Sequence, residues 1–180
     1  MRFSTNLKGS VVKTYHLWLT PTGQAYDILL KTITALSKAY HAPIFDPHVT
    51  LLGSLPGTEE TISTRCLELG GSLAPFNVLL AEPGYGDQYF QCVFLKTQET
   101  PALMHAHELA RKLFIKESSP YMPHLSLLYG HYSLELKNNI TSTLSQSLRL
   151  SFTVDMIHLI RSRSEHPIDW TSILAVPLSG

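Results

Sequence analysis

Apolar residues along this chain switch between two spacings, and the switches recur in the same order. Val11 to Thr20 is dense in β-branched and aromatic residues and stops at Pro21, which predicts a strand. Tyr26, Leu29, Leu30, Ile33 and Leu36 then follow helical spacing and predict an amphipathic helix to about Tyr40. His41-Ala-Pro breaks it, and a short strand follows that ends at Leu55-Pro-Gly. Ile62, Cys66, Leu69 and Leu73 mark a second helix, closed near Gly70-Gly71. Phe76 to Ala81 reads as a strand, Glu82-Pro-Gly-Tyr-Gly-Asp as a turn, and Tyr89 to Lys96 as another strand. A third helix carries Leu103, Ala106, Ala110, Leu113 and Phe114, and Ser118-Ser-Pro ends it before a further short strand. Leu136, Ile140, Leu144 and Leu148 are spaced four apart and predict a fourth helix. Two strands close the chain, over about 150–163 and 170–177.

Within this order a unit repeats: strand, helix, breaker, short strand. The two short strands share a pattern. Residues 47–51 read Pro-His-Val-Thr-Leu, and residues 123–127 read Pro-His-Leu-Ser-Leu. Thirty residues separate Trp18 from His48, and 30 separate Phe94 from His124. Equivalent units of one chain tend to associate about a pseudo-two-fold axis, which would set the two histidine strands side by side or across a cleft. The expected fold is α+β: two pseudo-symmetric lobes, each an antiparallel sheet with helices outside. No low-complexity linker divides them, so residues 1–180 read as a single bilobal domain.

Composition narrows the chemistry. With 44% hydrophobic and 16% charged residues, the chain has the make-up of a soluble globular protein. Formal net charge is zero and no block of basic residues stands out, so no long nucleic acid is expected as a partner. Cys66 and Cys92 are too few for a disulfide framework and form no CxxC pair, so both read as buried thiols in a reducing compartment. The N-terminal residues lack the apolar run of a signal peptide, and no run approaches the ~20 apolar residues of a membrane helix. A cytoplasmic location is the default expectation.

Strand side chains alternate faces with a period of two. His48 and Thr50 therefore share one face, and His124 and Ser126 share another. Imidazole titrates near pH ~6.5, so one histidine can act as base and another as acid at neutral pH. A hydroxyl two residues on can donate to an anionic oxygen. Two such pairs facing one cleft would cradle a phosphate and move protons on both sides of it, with neither metal nor cofactor called for. Trp18, on the opening strand, is placed either to wall the cleft and stack on a base or to fill the core. Tyr85 in its glycine-flanked turn and Tyr121 before the second motif are further candidates for covering the pocket. His105 and His107 lie two apart on a helix and do not face each other, which disfavours a zinc pair. His131, His158 and His166 have no motif around them. Arg161 and Arg163 share one strand face and could meet a second phosphate or simply be solvated.

Tyr15-His-Leu-Trp-Leu-Thr-Pro, Pro47-His-Val-Thr-Leu-Leu-Gly, Tyr89-Phe-Gln-Cys-Val-Phe-Leu and Pro120-Tyr-Met-Pro-His-Leu-Ser-Leu-Leu-Tyr-Gly together carry a resemblance. The chain resembles the two-histidine phosphoesterase superfamily, and within it the plant and fungal-type cyclic nucleotide phosphodiesterases. The resemblance implies an active site in the groove between two lobes and hydrolysis of ribose cyclic phosphates. The implied substrates are ADP-ribose 1″,2″-cyclic phosphate, a by-product of tRNA splicing, and nucleoside 2′,3′-cyclic phosphates, giving 2′-phosphates. It implies catalytic roles for His48 and His124, with His124 activating water and His48 protonating the leaving oxygen, although the symmetric motifs allow the exchange. Thr50 and Ser126 would bind the phosphate. Tyr129 matches a tyrosine of the family pocket, but its strand parity is opposite to His124, so it reaches the site only if the chain turns at Gly130. Disulfides found near the site in some plant relatives are not expected with two cysteines. A monomer acting on a small nucleotide fits best. The rivals are an RNA 2′,3′-cyclic phosphodiesterase or 2′-5′ RNA ligase-like protein, and a non-catalytic nucleotide-binding module.

Overall fold

The computed structural model describes residues 13–144 and 150–180. Val11, Val12 and residues 145–148, which were expected to begin the first strand and end the fourth helix, lie outside the described residues. The elements are β1 (Thr14–Leu19), α1 (Gly23–Tyr40), β2 (Val49–Leu52), α2 (Glu59–Gly71), β3 (Phe76–Tyr85), β4 (Val93–Thr97), α3 (Pro101–Leu113), β5 (His124–Leu128), α4 (Leu134–Leu144), β6 (Ser151–Val154), β7 (Met156–Ser162) and β8 (Trp170–Pro177). Local chemistry sets the helix ends. Thr58 and Thr100 cap α2 and α3 by accepting the backbone N–H groups of Thr61 and Leu103, and Pro101 occupies the first turn of α3. Glu59 and Glu60 open α2, while Arg111 and Lys112 close α3, each complementing the helix dipole. α1 ends where His41 takes a left-handed conformation with φ 54.

Three expectations shift in detail. The Glu82–Asp87 turn starts later, because β3 runs through Tyr85 and pairs with β4 up to Val93. Residues 89–91 form a 3-10 turn, so the strand predicted from Tyr89 begins at Val93. The long strand predicted over about 150–163 is two strands that separate at Asp155. β6 pairs with β3 at one edge of the sheet and β7 with β1 and β8 at the other. The buried positions change parity there, from Phe152 and Val154 to Ile157 and Leu159.

All strand pairs are antiparallel and follow the order β6-β3-β4-β5-β2-β1-β7-β8. The order is symmetric about its centre: β2 answers β5, β1 answers β4, β7 answers β3, and β8 answers β6. The halves meet where β2 pairs with β5 at Val49 and Leu125. The repeat seen in the sequence reappears in the register, with Trp18 opposite Thr50 in one half and Phe94 opposite Ser126 in the other. The helices lock the halves together by crossing the junction. α1 packs over β5, and α3 packs over β2. Beneath them one continuous core holds Leu29, Ile33, Val49, Leu51, Leu103, Ala106, Leu125 and Leu127. The opposite face of the same strands is left for His48, Thr50, His124 and Ser126.

Leu125 is fully buried at the seam between the halves. Leu125→Ala should cost about 2–5 kcal/mol in urea unfolding, in the range for truncating a buried leucine. A loss below about 1 kcal/mol would mean the seam carries little of the stability.

Candidate active site

The cavity between the halves has a volume of about 670 Å³ and is lined by both motifs, with His48 and Thr50 on one side and His124 and Ser126 on the other. That is the size of a nucleotide-scale ligand site. His48 lies just before β2 and His124 opens β5, so both rings stand at the ends of the strands that form the seam.

Each imidazole is held the same way. His48 Nδ1 lies 2.7 Å from the Asp46 carbonyl oxygen, and His124 Nδ1 lies 2.8 Å from that of Met122, in both cases two residues back. A carbonyl only accepts, so Nδ1 carries the proton in each ring and Nε2 keeps its lone pair. Each ring also leans on the aromatic residue 30 positions earlier. His48 stacks on Trp18 with centroids 3.5 Å apart and planes 6° apart, and His124 meets Phe94 at 5.1 Å and 59°. Burial pushes His48 down to about 3 against the pull of the Asp46 carbonyl, with smaller lowering contributions from His16 and His124. Burial also lowers His124, opposed by its bond to the Met122 carbonyl. Both imidazoles are therefore neutral at pH 7 in this structure.

The hydroxyls are less symmetric. Ser126 is buried, and its Oγ donates to the Phe90 carbonyl at 2.7 Å. Thr50 is less buried and its hydroxyl has no such bond among the described residues. Tyr129 lines the cavity. The strand stops at Leu128, and Gly130, at φ 142, turns the chain there as the parity argument required. Tyr129 stacks on Phe45 at 3.7 Å, and burial pushes its phenol up, with a smaller lowering contribution from neighbouring Ser126.

Two of the aromatic candidates lie elsewhere. Tyr85 sits at the exposed end of β3 under Lys137 Nζ, 5.5 Å from its ring, and is not among the cavity residues. Tyr121 lines the smaller cavity beside this one: its hydroxyl donates to the Thr50 carbonyl at 3.0 Å, and its ring stacks on His107 at 3.7 Å. His107 in turn donates from Nδ1 to the Leu51 carbonyl at 2.8 Å. This pair braces β2 from outside. Arg161 faces away from the cavity, where its Nη1 meets Glu59 at 3.1 Å beside the Tyr15 hydroxyl. It is thus neither solvated nor at the cavity, but held in an ion pair on the far face of the strand.

Other cavity residues were missed by the sequence reading. His16 shares the strand face of Trp18 and lines the cavity, a placement that the period of two could have supplied. Its Nδ1 accepts the Ser54 N–H at 3.4 Å, and its Nε2 donates to Ser162 Oγ at 3.1 Å, so its tautomer is opposite to that of His48. Burial, then the charge of Lys116, lowers it to about 4. Trp170 edges onto Trp18 at 5.6 Å and onto His48 at 6.4 Å. Only the β7–β8 register, which sets it opposite Ser162, puts it there. Among the described residues no group of three or more His, Cys, Asp or Glu side chains could hold a metal ion. No helix among them is long and apolar enough to cross a membrane. Cys66 and Cys92 are buried and unpaired, and burial pushes the Cys66 thiol up to about 12.

Two mirrored half-sheets that present a His-x-Thr and a His-x-Ser element to one cavity define a two-histidine phosphoesterase fold. The family model described as cyclic phosphodiesterase-like protein matches residues 14–156, and the chain belongs to that family. It is an enzyme of the cyclic phosphodiesterase class. The chain is 33% identical over 156 residues to a cyclic phosphodiesterase of Arabidopsis thaliana, covering 84% of this chain and 86% of the relative. It is 27% identical over 134 residues to a 2′,3′-cyclic-nucleotide 3′-phosphodiesterase of Kluyveromyces lactis, covering 63% of each. Its fold is similar to that of E. coli LigT complexed with 3′-AMP, with a TM-score of 0.62 at 14% identity over 93% of this chain and 99% of the other.

The buried neutral histidines make stability depend on pH. For His48 and His16 the folded values, about 3 and about 4, lie below the ordinary imidazole value of 6.5, so between there and 6.5 the unfolded chain binds more protons than the folded one. Stability is therefore highest above pH 6.5 and falls as the solution is acidified. Each histidine kept neutral should contribute roughly 2 kcal/mol of the loss between pH 7.5 and 5. His48→Gln should lose less melting temperature over that range than the wild type, and an equal loss would contradict a neutral buried His48.

Proposed function

We propose that the enzyme hydrolyses cyclic phosphates on ribose: nucleoside 2′,3′-cyclic phosphates to 2′-phosphates, and ADP-ribose 1″,2″-cyclic phosphate to ADP-ribose 1″-phosphate. One observation carries the reading: two neutral imidazoles, each tied through Nδ1 to its own chain, stand with a hydroxyl partner at one nucleotide-sized cavity. In the proposed reaction His124 Nε2 takes a proton from water as its oxygen bonds to phosphorus. The bond from phosphorus to O3′ breaks (to O2″ in the ADP-ribose substrate), and His48 Nε2–H delivers its proton to that oxygen. His48 must then enter the cycle as imidazolium. Burial opposes this, and the substrate's phosphate anion supplies the offsetting charge. The Trp18 face stacked on His48 favours the cation as well. His124 is the more exposed ring and the better placed to meet water. These two features support the acid role for His48 and the base role for His124.

Thr50 would donate to one non-bridging oxygen. Ser126 would do so by turning its hydroxyl from the Phe90 carbonyl. Trp18 and Tyr129, which line the cavity, are proposed to contact the nucleoside. The name of the Kluyveromyces lactis relative supports cleavage on the 3′ side. The LigT complexes with 3′-AMP, ATP and NADP+ support a small nucleotide ligand for this fold. We place the enzyme in the cytoplasm as a monomer, which its buried free thiols fit.

With adenosine 2′,3′-cyclic phosphate, the wild type should release adenosine 2′-phosphate at a rate unchanged by EDTA. His48→Ala and His124→Ala should each lower kcat by about 10²–10⁴-fold. A 3′-phosphate product, or near wild-type rates in both variants, would overturn the mechanism.

A further inference from the structure

Beside the catalytic cavity lies a second one of about 280 Å³. The two share Thr50, Gly53, Gln91 and His124, so the spaces adjoin across the reacting groups themselves. Their charges differ. The catalytic cavity has no lysine or arginine in its lining among the described residues, and Glu165 is its one carboxylate. The side cavity has Arg111 and Lys116 in its lining, with Glu117 as its acid. Arg111 is already engaged, because Glu108 accepts from both Nε and Nη2 at 2.7 Å. Lys116 is not. Its Nζ donates to the carbonyls of Gly53 at 2.7 Å and Ser54 at 3.2 Å, and it has no ion-pair partner among the described residues. An ammonium has three N–H donors, so two carbonyls leave one donor and the full charge. The carbonyls also fix the ammonium against the turn after β2, next to the cavity both motifs line. Its charge reaches into the site, where it contributes to holding His16 neutral.

A substrate with one cyclic phosphate needs no such group. A substrate with a second phosphate would meet Glu165 on one side and Lys116 on the other. We infer that the side cavity is a second phosphate subsite, in which Lys116 holds the phosphate ester on the 5′ side of the ribose whose cyclic phosphate is hydrolysed. The inference rests on the cyclic phosphodiesterase reading above and deepens it. Lys116 then determines specificity for doubly phosphorylated substrates and leaves simple cyclic mononucleotides alone. The 5′ phosphate ester has two chemical sources, the diphosphate of an ADP-ribose unit and the preceding nucleotide of an RNA end.

Product binding tests the subsite without needing turnover. By calorimetry, adenosine 2′,5′-bisphosphate should bind the wild type about tenfold more tightly than adenosine 2′-phosphate, the gain expected of one charge-assisted contact. Lys116→Met should remove that gain and leave adenosine 2′-phosphate binding as it was, while Lys116→Arg should restore it. Adenosine 2′-phosphate 5′-diphosphate and a dinucleotide ending in a 2′-phosphate form the further arms. Given the bisphosphate gain, the arm that shares its dependence on Lys116 names the source. Equal affinity of the mono- and bisphosphate in the wild type, or equal losses of both in Lys116→Met, would overturn it. A Lys116-dependent preference in an enzyme that hydrolyses no cyclic phosphate would uphold the subsite and remove the reaction instead.

Discussion

The seam between β2 and β5 is the constraint on which the rest of this molecule depends. Each half brings one histidine and one hydroxyl, and neither half alone can place a base and an acid on opposite sides of a phosphorus atom. The strands pair there only at Val49 and Leu125, so the ladder itself holds the halves weakly. Helix exchange supplies the remaining rigidity, with α1 lying over β5 and α3 over β2. Each motif is thus backed by the apolar face of the other repeat's helix. Tyr121 and His107 add polar ties from α3 and the pre-β5 segment to the carbonyls of Thr50 and Leu51. A site that must hold two side chains in fixed relation is built where the two repeats share one core.

The second constraint is electrostatic. Burying an imidazole favours its neutral form, and a neutral imidazole must choose a tautomer. Here the backbone makes that choice. The carbonyl two residues before each motif histidine accepts a hydrogen bond from Nδ1–H, which leaves a lone pair on each Nε2 and no proton there to donate. Such a site is ready to accept one proton when an anion arrives, and one proton is what acid–base hydrolysis of a cyclic phosphate circulates. In the proposed cycle, coupling the protonation to substrate binding would keep the empty cavity free of two buried cations, which would repel each other and lower stability. Trp18 offers its ring face to His48, the histidine proposed to bear the charge.

Much of this was legible in the sequence because the repeat wrote it twice. The two Pro-His-x-Thr/Ser-Leu stretches and their equal distance from Trp18 and Phe94 gave the pseudo-symmetry, and the register pairs Trp18 with Thr50 and Phe94 with Ser126. All four motif residues line one cavity. What stayed hidden depends on contacts between distant segments. Trp170 enters the site through the register of β7 with β8, and nothing near it in the chain signals that. Tyr85 and Tyr121 had local contexts as good as that of Tyr129, but β3 continues past the expected turn and carries Tyr85 outward, while Tyr121 spends its hydroxyl on a backbone carbonyl. His16 could have been read from its parity with Trp18, yet its role as a fixed wall depends on Ser54 and Ser162, 38 and 146 residues away.

The protonation state of the paired histidines tests the proposed mechanism most directly. Nitrogen-15 NMR of the imidazoles at pH 7 reads it directly. For both His48 and His124 the mechanism predicts neutral rings protonated at Nδ1 in the free enzyme, with one of them becoming an imidazolium when a cyclic phosphate analogue binds. A proton on Nε2 of either ring in the free enzyme, or two rings that stay neutral in the complex, would contradict it.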